Sequence, residues 1–479
     1  MNKALLTSNT FLHRRCSALL MGVLLLITQI GFSACAGTET QSAISGGSRQ
    51  DDLDSKVAAS NSSYDEKSDT TDTNESFVTR STNSQKVSSN KTVVSEAVES
   101  QIKLPTTSTD LNRPDFDYRA YNAARAEGAL VDHSGAAKKD ILGVVHWGGT
   151  YADTHTTDYL NYGASKITEL GVSVIKVTTL GPKEAYPLDT FPNSMSRGNA
   201  AATALSVCQS EQYRRLFANP KLKTYFLVVA QPDGVVNFCD GMSEREYAYM
   251  TQTTYELAVH LFKTYAGTGK TFVLQNWEGD NALGYAQVTY PSAAFSKAQK
   301  GICDYFNAMI DGVLKARYEL EQTGKTMEQA KCFVYSCLEV NRILRDNTNG
   351  YPKLIDTVIP QTYADLYSYS NWETHYSDAS TVKSKTKQAL DELAAKAPDS
   401  RYFGKKNIVM AEFGYPEKDQ GESTQLLISS AEAEAAYEWG VQYMTYWEIF
   451  DNEDRGFWLI RPDGSKASIY SFFSNWLKS

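Results

Sequence analysis

Two glutamates follow short apolar runs in the second half of the chain, and their positions suit one kind of chemistry. Glu278 follows the run at 271–276, and Glu412 follows the run at 407–411. Two carboxyl groups that face each other across a cleft can cleave a glycosidic bond. One protonates the leaving oxygen, and the other attacks or stabilises the cationic sugar. We therefore take Glu278 and Glu412 as the candidate catalytic pair.

Further polar and aromatic residues lie at or just after the ends of the same kind of run. Aromatic rings among them would suit a sugar, whose C–H faces pack on such platforms, while polar groups would bind its hydroxyls. Two members have equally ordinary explanations, because His146 can be a structural hydrogen-bonding residue and Glu339 can form a loop salt bridge. Asp280 would either orient Glu278 or cap the following helix. The candidate substrate-binding residues are His146, Trp147, Asn276, Trp277, Glu339, Asn341, Tyr363 and Trp447.

The elements that must position these residues are short β-rich runs that alternate with long helical stretches. The run at 225–230 is apolar on both faces, as in a parallel strand covered by helices. Such alternation predicts βαβ units, and eight of them predict an α/β fold, a (β/α)8 TIM barrel, over 116–479. An open doubly wound sheet is the alternative, although no Gly-rich phosphate loop follows any run. The eight runs are 141–147, 172–179, 224–230, 271–276, 332–338, 357–362, 407–411 and 441–446.

In a TIM barrel the carboxyl ends of the strands form the mouth, and the fourth and seventh strands lie on opposite sides of it. With Glu278 and Glu412 at those two ends, the sequence resembles the clan of retaining (β/α)8-barrel glycoside hydrolases that contains cellulases, mannanases and β-galactosidases. The resemblance covers the chain from about Ile141 onward and indicates no particular family of the clan.

The resemblance implies a role for each matching position. Glu278 would be the acid/base, Glu412 the nucleophile, Tyr363 the hydrogen-bonding partner of the nucleophile, and Trp447 the floor of the sugar site. It implies an oligo- or polysaccharide substrate and no cofactor.

One spacing departs from the pattern of the clan, in which an Asn directly precedes the acid/base. Here Trp277 separates Asn276 from Glu278, so the sugar 2-hydroxyl would be bound either by Asn276 or by Asn341, which lies beside Glu339.

Three other classes of protein stay open at this point. A catalytically inactive barrel could bind glycan at the cell surface with the same aromatic residues. A metal-dependent barrel hydrolase is disfavoured, because the chain has only 6 His and no HxH spacing among them. An inverting glycosidase would hold its carboxyl groups about 6.5–9.5 Å apart, instead of about 5–5.5 Å in a retaining one.

Composition bounds the class of partner. Hydrophobic residues make up 42% and charged residues 22% of the 479, which is ordinary for a globular protein with a large core. The formal net charge of -9 argues against nucleic acid, whose binding needs a basic face. A neutral substrate is compatible with this charge.

The first residues have the features of an export signal. Lys3, Arg14 and Arg15 precede an apolar run at 18–30, and the residues Phe-Ser-Ala-Cys at 32–35 resemble a bacterial lipobox with Phe where Leu is usual. We predict a signal peptide at 1–34 and a lipid anchor on Cys35, which would make the protein an extracytoplasmic, membrane-anchored lipoprotein. Plain secretion and an uncleaved membrane anchor are the alternatives.

The stretch at 35–115 is rich in Ser, Thr and Asp and has few apolar residues. Such a composition cannot bury enough apolar surface to offset chain entropy, so we predict a disordered tether. It would hold a catalytic domain clear of a membrane surface.

The cysteines show no metal-binding spacing and no CxxC pair. Export permits disulfides, and Cys208 with Cys239 is the favoured pair because both fall near adjacent predicted strands. The alternative is that all five cysteines of the barrel region are buried free thiols.

Overall fold

The computed structural model describes residues 116–126, 128–131, 136–149, 156–187, 189–229, 236–284 and 286–479. The predicted signal peptide at 1–34, the lipidation site Cys35 and the predicted tether at 35–115 lie outside these residues. In the described part of the chain, no helix is both long and apolar enough to cross a membrane.

Eight parallel strands close into a barrel in sequence order, and β8 pairs with β1 to complete the ring. This confirms the predicted TIM barrel and excludes the open sheet. Every strand pairs in parallel with both neighbours, so all eight carboxyl ends lie at one mouth of the barrel. The strands are β1 Leu142–His146, β2 Val174–Thr178, β3 Thr224–Val228, β4 Lys270–Gln275, β5 Cys332–Val340, β6 Leu366–Asn371, β7 Ile408–Phe413 and β8 Met444–Tyr446.

Helices connect the strands and cover the outside of the barrel. Two short 3₁₀ helices, Asn193–Met195 and Ile359–Gln361, lie in the connections. Among the described residues the α-helices are α1 Tyr118–Asn122, α2 Lys138–Ile141, α3 Tyr159–Leu170, α4 Pro182–Ala185, α5 Ala204–Cys208, α6 Glu211–Ala218, α7 Glu244–Tyr265, α8 Gly279–Gly284, α9 Ala293–Gln322, α10 Met327–Ala330, α11 Leu354–Thr357, α12 Ala379–Lys396, α13 Glu417–Gln420, α14 Glu422–Trp439 and α15 Ser468–Trp476.

Local sequence explains where the two longest helices begin and which face they bury. Ser243 caps α7 and forms a reciprocal capping box with Glu246, which satisfies backbone N–H groups that have no partner within the helix. The residues of α9 that recur at helical spacing are buried, among them Phe306, Ile310 and Val313. These apolar faces fix both helices on the barrel.

The sixth strand is not where the apolar run predicted it. The run at 357–362 forms the end of α11 and a 3₁₀ helix, and β6 begins only at Leu366. Pro360 lies in that run and cannot donate to a strand ladder, which disfavours a central strand there. Tyr363 therefore precedes β6 and lies at the end of the barrel opposite the mouth.

A buried ion pair fixes that opposite end. Arg317 on α9 donates two hydrogen bonds to Asp365, which lies just before β6, at 2.9 Å and 2.7 Å. Both side chains are fully buried. The paired geometry satisfies the charges that burial would otherwise leave uncompensated.

The predicted disulfide between Cys208 and Cys239 is wrong. Cys208, Cys303, Cys332 and Cys337 are free and buried. Cys208 lies on α5 with its side chain fully buried, and burial in apolar surroundings raises the pKa of its thiol.

Candidate active site

Glu278 and Glu412 both lie at the mouth of the barrel and are almost completely buried. Glu278 comes three residues after the end of β4, and Glu412 is the penultimate residue of β7. Their exposed fractions are 5% and 2%. Glu412 stands opposite Ser370 of β6, and the Ser370 Oγ donates a hydrogen bond of 3.2 Å to Glu412 Oε2.

A buried lysine that sequence reasoning missed lies between two of the carboxylates of the mouth. Lys176 Nζ, from β2, lies 2.7 Å from Glu412 Oε1 and 3.1 Å from Glu339 Oε2. It also donates to the backbone oxygen of Ala411 at 3.3 Å. The Lys176 side chain is fully buried, so its charge must be compensated by protein groups, among which are these two carboxylates.

Glu339 of β5 links both halves of the site. Its Oε2 accepts hydrogen bonds from Lys176, from Ser368 Oγ at 3.3 Å and from Gln275 Nε2. Its Oε1 accepts from the backbone N–H of Glu278 at 3.2 Å. Glu339 is fully buried, and both of its oxygens are bonded to protein donors.

The two candidate catalytic carboxyls influence each other's protonation. Burial, and then the charges of Glu412 and Glu339, raise the pKa of Glu278 well above its usual range. Burial raises the pKa of Glu412 to about 7, while the neighbouring Lys176 ammonium opposes the shift. Both carboxyls therefore lie in one electrostatic environment, as a cooperating pair requires.

A second missed residue, Trp372, orients Glu278. It follows β6 directly, and its Nε1 donates a hydrogen bond of 2.7 Å to Glu278 Oε1. Asn281 Nδ2 donates to the other oxygen, Glu278 Oε2. The carboxyl group of Glu278 is thus held by a donor on each oxygen.

Aromatic rings form a cluster around this site. The Trp147 and Trp447 ring centroids lie 6.1 Å apart, and those of Trp372 and Trp447 lie 6.4 Å apart. Trp447 and Phe457 are buried, whereas Trp147, Trp277 and Trp372 keep part of their surface exposed. Such a wall has the flat apolar faces on which sugar rings stack.

The prediction that Tyr363 contacts the nucleophile is wrong. The Tyr363 hydroxyl donates a hydrogen bond of 2.6 Å to Asp311 on α9, and its backbone oxygen accepts from Asn122 on α1. Its position before β6 puts it on the outer helices at the opposite end of the barrel. Ser370 and Lys176 contact Glu412 instead.

His146 is a core residue, and its interpretation as a substrate contact is wrong. Its ring lies against Tyr159, with centroids 4.9 Å apart, and its Nε2 lies 3.2 Å from the Tyr159 backbone oxygen on α3. Complete burial lowers the pKa of His146 to about 3, so the ring is neutral. The side chain faces the helix layer and not the mouth.

Asn276 clamps two strands together and does not present a free amide to a sugar. Its Oδ1 accepts from the backbone N–H of Glu339 at 2.8 Å, and its Nδ2 donates to the Glu339 backbone oxygen at 3.0 Å. The predicted substrate contact by Asn276 is therefore corrected. Asn341 is buried, and its Oδ1 accepts from the backbone N–H of Asn281 at 3.3 Å. A sugar contact by Asn341 stays a prediction.

Two carboxylates tie down the segment that follows β5. Asp280 accepts hydrogen bonds from the backbone N–H groups of Asn341 at 3.2 Å and Leu354 at 3.0 Å. From the other side, Glu373 accepts from the backbone N–H groups of Ile343 at 2.8 Å and Arg345 at 3.0 Å. Asp280 thus anchors the wall of the mouth, and by accepting from Leu354 it satisfies the first backbone N–H of α11 instead of orienting Glu278.

Comparisons with known proteins return solved structures only. No protein-family model matches the sequence, and no curated protein matches it. Among the described residues, no group of three His, Cys, Asp or Glu side chains could hold a metal ion.

Several of the similar solved structures are glycoside hydrolases, each at low identity. A GH5_18 protein from Streptomyces cattleya in complex with GlcNAc is 10% identical, covering 72% of this chain and 80% of that one, with a TM-score of 0.47. A GH5 family lichenase from Caldicellulosiruptor sp. F32 is 11% identical over 74% and 97%, with a TM-score of 0.44. A GH1 β-glucosidase from Exiguobacterium antarcticum is 10% identical over 71% and 97%, with a TM-score of 0.43. The closed eight-stranded barrel shows that this chain has a (β/α)8 fold.

Proposed function

We propose that this protein is a glycoside hydrolase that cleaves an oligo- or polysaccharide with retention of configuration. The observation that carries the proposal is the coupling of two buried carboxyls, Glu278 and Glu412, at the mouth of the barrel. They belong to one network, in which Lys176 bridges Glu412 to Glu339 and Glu339 binds the backbone of Glu278. The aromatic wall beside them supplies a surface for a sugar.

The protonation states support different roles for the two carboxyls. Burial and the neighbouring carboxylates raise the pKa of Glu278 well above its usual range, which favours its protonated form, as a general acid needs. Glu412 is paired with the Lys176 ammonium, which favours its ionised form, as a nucleophile needs. Two carboxyls in environments that separate their roles are the usual arrangement for acid and nucleophile.

The reaction then proceeds in two displacements. A carboxylate oxygen of Glu412 attacks the anomeric carbon, the bond to the leaving sugar oxygen breaks, and that oxygen takes the proton of Glu278. In the second step the Glu278 carboxylate removes a proton from water, and the water oxygen displaces Glu412 from the sugar. Glu278 is protonated again, and the product has the configuration of the substrate.

We further propose that the protein acts outside the cytoplasm, anchored to a membrane by a lipid on Cys35. The support is the sequence at 1–35 alone, with its basic start, apolar run and lipobox-like end. Replacement of Cys35 by Ser would test the anchor. Metabolic labelling with a palmitate analogue should mark the parent and not the variant, and labelling of neither would contradict the proposal.

The hydrolase proposal is tested on a panel of 2,4-dinitrophenyl and 4-methylumbelliferyl β-glycosides together with β-glycan oligosaccharides. Glu412→Ala should lose hydrolysis of all of them, and azide should restore reaction with the dinitrophenyl glycoside by forming the azide of opposite anomeric configuration. Glu278→Ala should lose more activity on methylumbelliferyl than on dinitrophenyl glycosides, because the better leaving group needs less protonation. Glu319→Gln on the outer helix α9 is the control and should hydrolyse like the parent.

Proton NMR of the first sugar released distinguishes retention from inversion. The original anomer should appear first, and the opposite anomer would exclude the two-step mechanism. Hydrolysis at equal rates by both Glu variants and the parent would remove the catalytic assignment. Glycan binding without hydrolysis in the parent and both variants would identify an inactive glycan-binding barrel.

A further inference from the structure

Glu339 is a carboxylate of the site that contacts both reacting residues or their partners, and the two-step reaction does not use it. It is fully buried, while a residue that binds a sugar hydroxyl must offer an atom to the cleft. Its Oε2 accepts hydrogen bonds from the side chains of Lys176, Ser368 and Gln275, and its Oε1 accepts one from the backbone N–H of Glu278. These contacts join β2, β4, β5 and β6 at a single side chain.

The contacts of Glu339 reach both reacting carboxyls through an intermediate group. Lys176 Nζ lies between Glu339 Oε2 at 3.1 Å and Glu412 Oε1 at 2.7 Å, so Glu339 limits where the ammonium can stand. On the other side, Glu339 Oε1 holds the backbone N–H of Glu278 at 3.2 Å. The clamp between Asn276 and the Glu339 backbone fixes Glu339 itself.

We propose that Glu339 is a positioning residue, which holds Lys176 against Glu412 and the backbone of Glu278 in place without touching the sugar. The inference rests on the proposed function, because positioning matters only if the two carboxyls react. It replaces the expectation that Glu339 binds substrate.

The charge of Glu339 also acts on both partners. It raises the pKa of Glu278 and of Glu412, since like charges disfavour ionisation of their neighbours. Among the described residues, the other charged or titratable groups that act on these carboxylates include Lys176 from β2 and Arg342 after β5. The thiol of Cys337 on β5 also lies nearby, and burial and then the charge of Glu339 raise its pKa.

The test replaces Glu339 by Gln, which keeps the shape and removes the charge. The titrations of Glu278 and Glu412 are followed by ¹³C NMR of protein labelled at the Glu side-chain carboxyls, with each signal assigned by its loss in the matching Glu→Gln variant. We expect both midpoints to fall by about 1 pH unit or more. Glu432→Gln is the matched control, a buried glutamate on α14 that should leave both midpoints unchanged.

Kinetics separate positioning from substrate contact. On the best dinitrophenyl glycoside of the panel, Glu339→Gln should lower kcat by about 10²-fold, the cost of displacing reacting groups by about 1 Å, while KM stays close to that of the parent. The pH profile of kcat/KM should shift to lower pH on both limbs. A raised KM with unchanged kcat and unchanged midpoints would make Glu339 a substrate contact and overturn the proposal.

Glu339→Gln removes one of the two carboxylates that compensate the buried Lys176 charge, and this variant could fail to fold. A second comparison covers that case. Lys176→Met is compared with the double variant Lys176→Met/Glu339→Gln, which removes one charge of each sign. The Glu412 midpoint should be lower in the double variant, and equal midpoints would contradict the proposal. If the midpoints move as expected but the parent hydrolyses no glycoside, the coupling stands and the hydrolase proposal alone fails.

Discussion

Lys176 Nζ lies 2.7 Å from Glu412 Oε1, with both side chains buried beneath the mouth of the barrel. The ammonium is the only cation within bonding distance of this carboxylate in the described part of the chain, and Glu339 shares it at 3.1 Å. A buried carboxylate that lost this partner would be left uncompensated, which favours its protonated form. The ionisation of the proposed nucleophile therefore depends on Lys176.

Replacement of Lys176 by Met should move the acid limb of the pH profile to higher pH. Activity requires ionised Glu412, so it is lost as pH falls through the pKa of Glu412, which is about 7. Lys176 lowers that pKa, and its removal should raise the acid limb by about 1 to 3 pH units. The measurement is kcat/KM against pH. Lys383→Met, on the surface of α12, is the control, and an unmoved limb in Lys176→Met would contradict the role of this contact.

Replacement of Trp372 by Phe should move the basic limb to higher pH. Activity requires protonated Glu278 and is lost as pH rises through its pKa, which the Trp372 hydrogen bond lowers. Loss of the donor should therefore raise that pKa, while kcat at the optimum falls because Oε1 is no longer oriented.

The matched control for Trp372 is Trp439→Phe. The Trp439 Nε1 donates to Asp391 at the surface, so its loss should change neither limb. A basic limb that stays in place in Trp372→Phe, or moves to lower pH, would show that this hydrogen bond does not act on the general acid.

Replacement of Glu278 by Gln should stabilise the protein at alkaline pH. In the folded state the pKa of Glu278 is raised, so folding keeps a proton that the unfolded chain releases above its ordinary pKa. Stability therefore falls as pH rises between the two pKa values, by about 1.4 kcal/mol for each unit of the difference. Gln does not titrate and should remove this loss.

Thermal unfolding at pH 4 and pH 8 measures the effect. The two proteins should unfold at similar temperatures at pH 4, and the variant should unfold at the higher temperature at pH 8. Glu319→Gln should follow the parent at both values. If the variant and the parent differed in unfolding temperature by the same amount at both pH values, proton uptake by Glu278 would not be the cause of the difference.

Replacement of Gly163 by Ala should destabilise the barrel. A methyl group at this position of α3 would overlap the His146 ring, which is fully buried and cannot move aside. Overpacking of this kind costs about 1 to 3 kcal/mol, measurable as the free energy of unfolding in urea. Gly284→Ala, where the nearest atom is 3.5 Å away, is the control and should cost much less.

The cause can be checked with His146→Ala, which removes the clashing ring. If the contact explains the cost, Gly163→Ala should destabilise the His146→Ala protein far less than the parent. Equal costs in the two backgrounds would assign the effect to the helix alone.

Strand periodicity predicted the barrel well because the other seven strands are rich in buried apolar residues, as expected of strands covered by helices. The prediction of the sixth strand was wrong for a physical reason. Its residues Ser368 and Ser370 point into the site, where they donate to Glu339 and Glu412, so β6 does not read as an apolar run. The apolar run at 357–362, which contains a proline, was predicted as the sixth strand instead. Tyr363, which follows that run, was therefore wrongly predicted to contact the nucleophile.

The candidate pair itself was predictable, because Glu278 and Glu412 follow runs whose carboxyl ends must meet at one mouth. Their partners were not. Lys176 is a single charged residue within the otherwise largely apolar strand β2, and nothing in its spacing along the chain indicates a role in the site. Trp372 could be found only once β6 was correctly located. Contacts between distant strands decide these roles, and spacing along the chain does not encode them.

The anchoring of the segment after β5 has a consequence for engineering specificity. The backbone N–H groups of this segment donate to Asp280 on the β4 side and to Glu373 on the β6 side. A foreign loop grafted there would lose these hydrogen bonds unless its own backbone N–H groups reached the carboxylates of Asp280 and Glu373. The smallest transplantable module is therefore the ends of three consecutive strands.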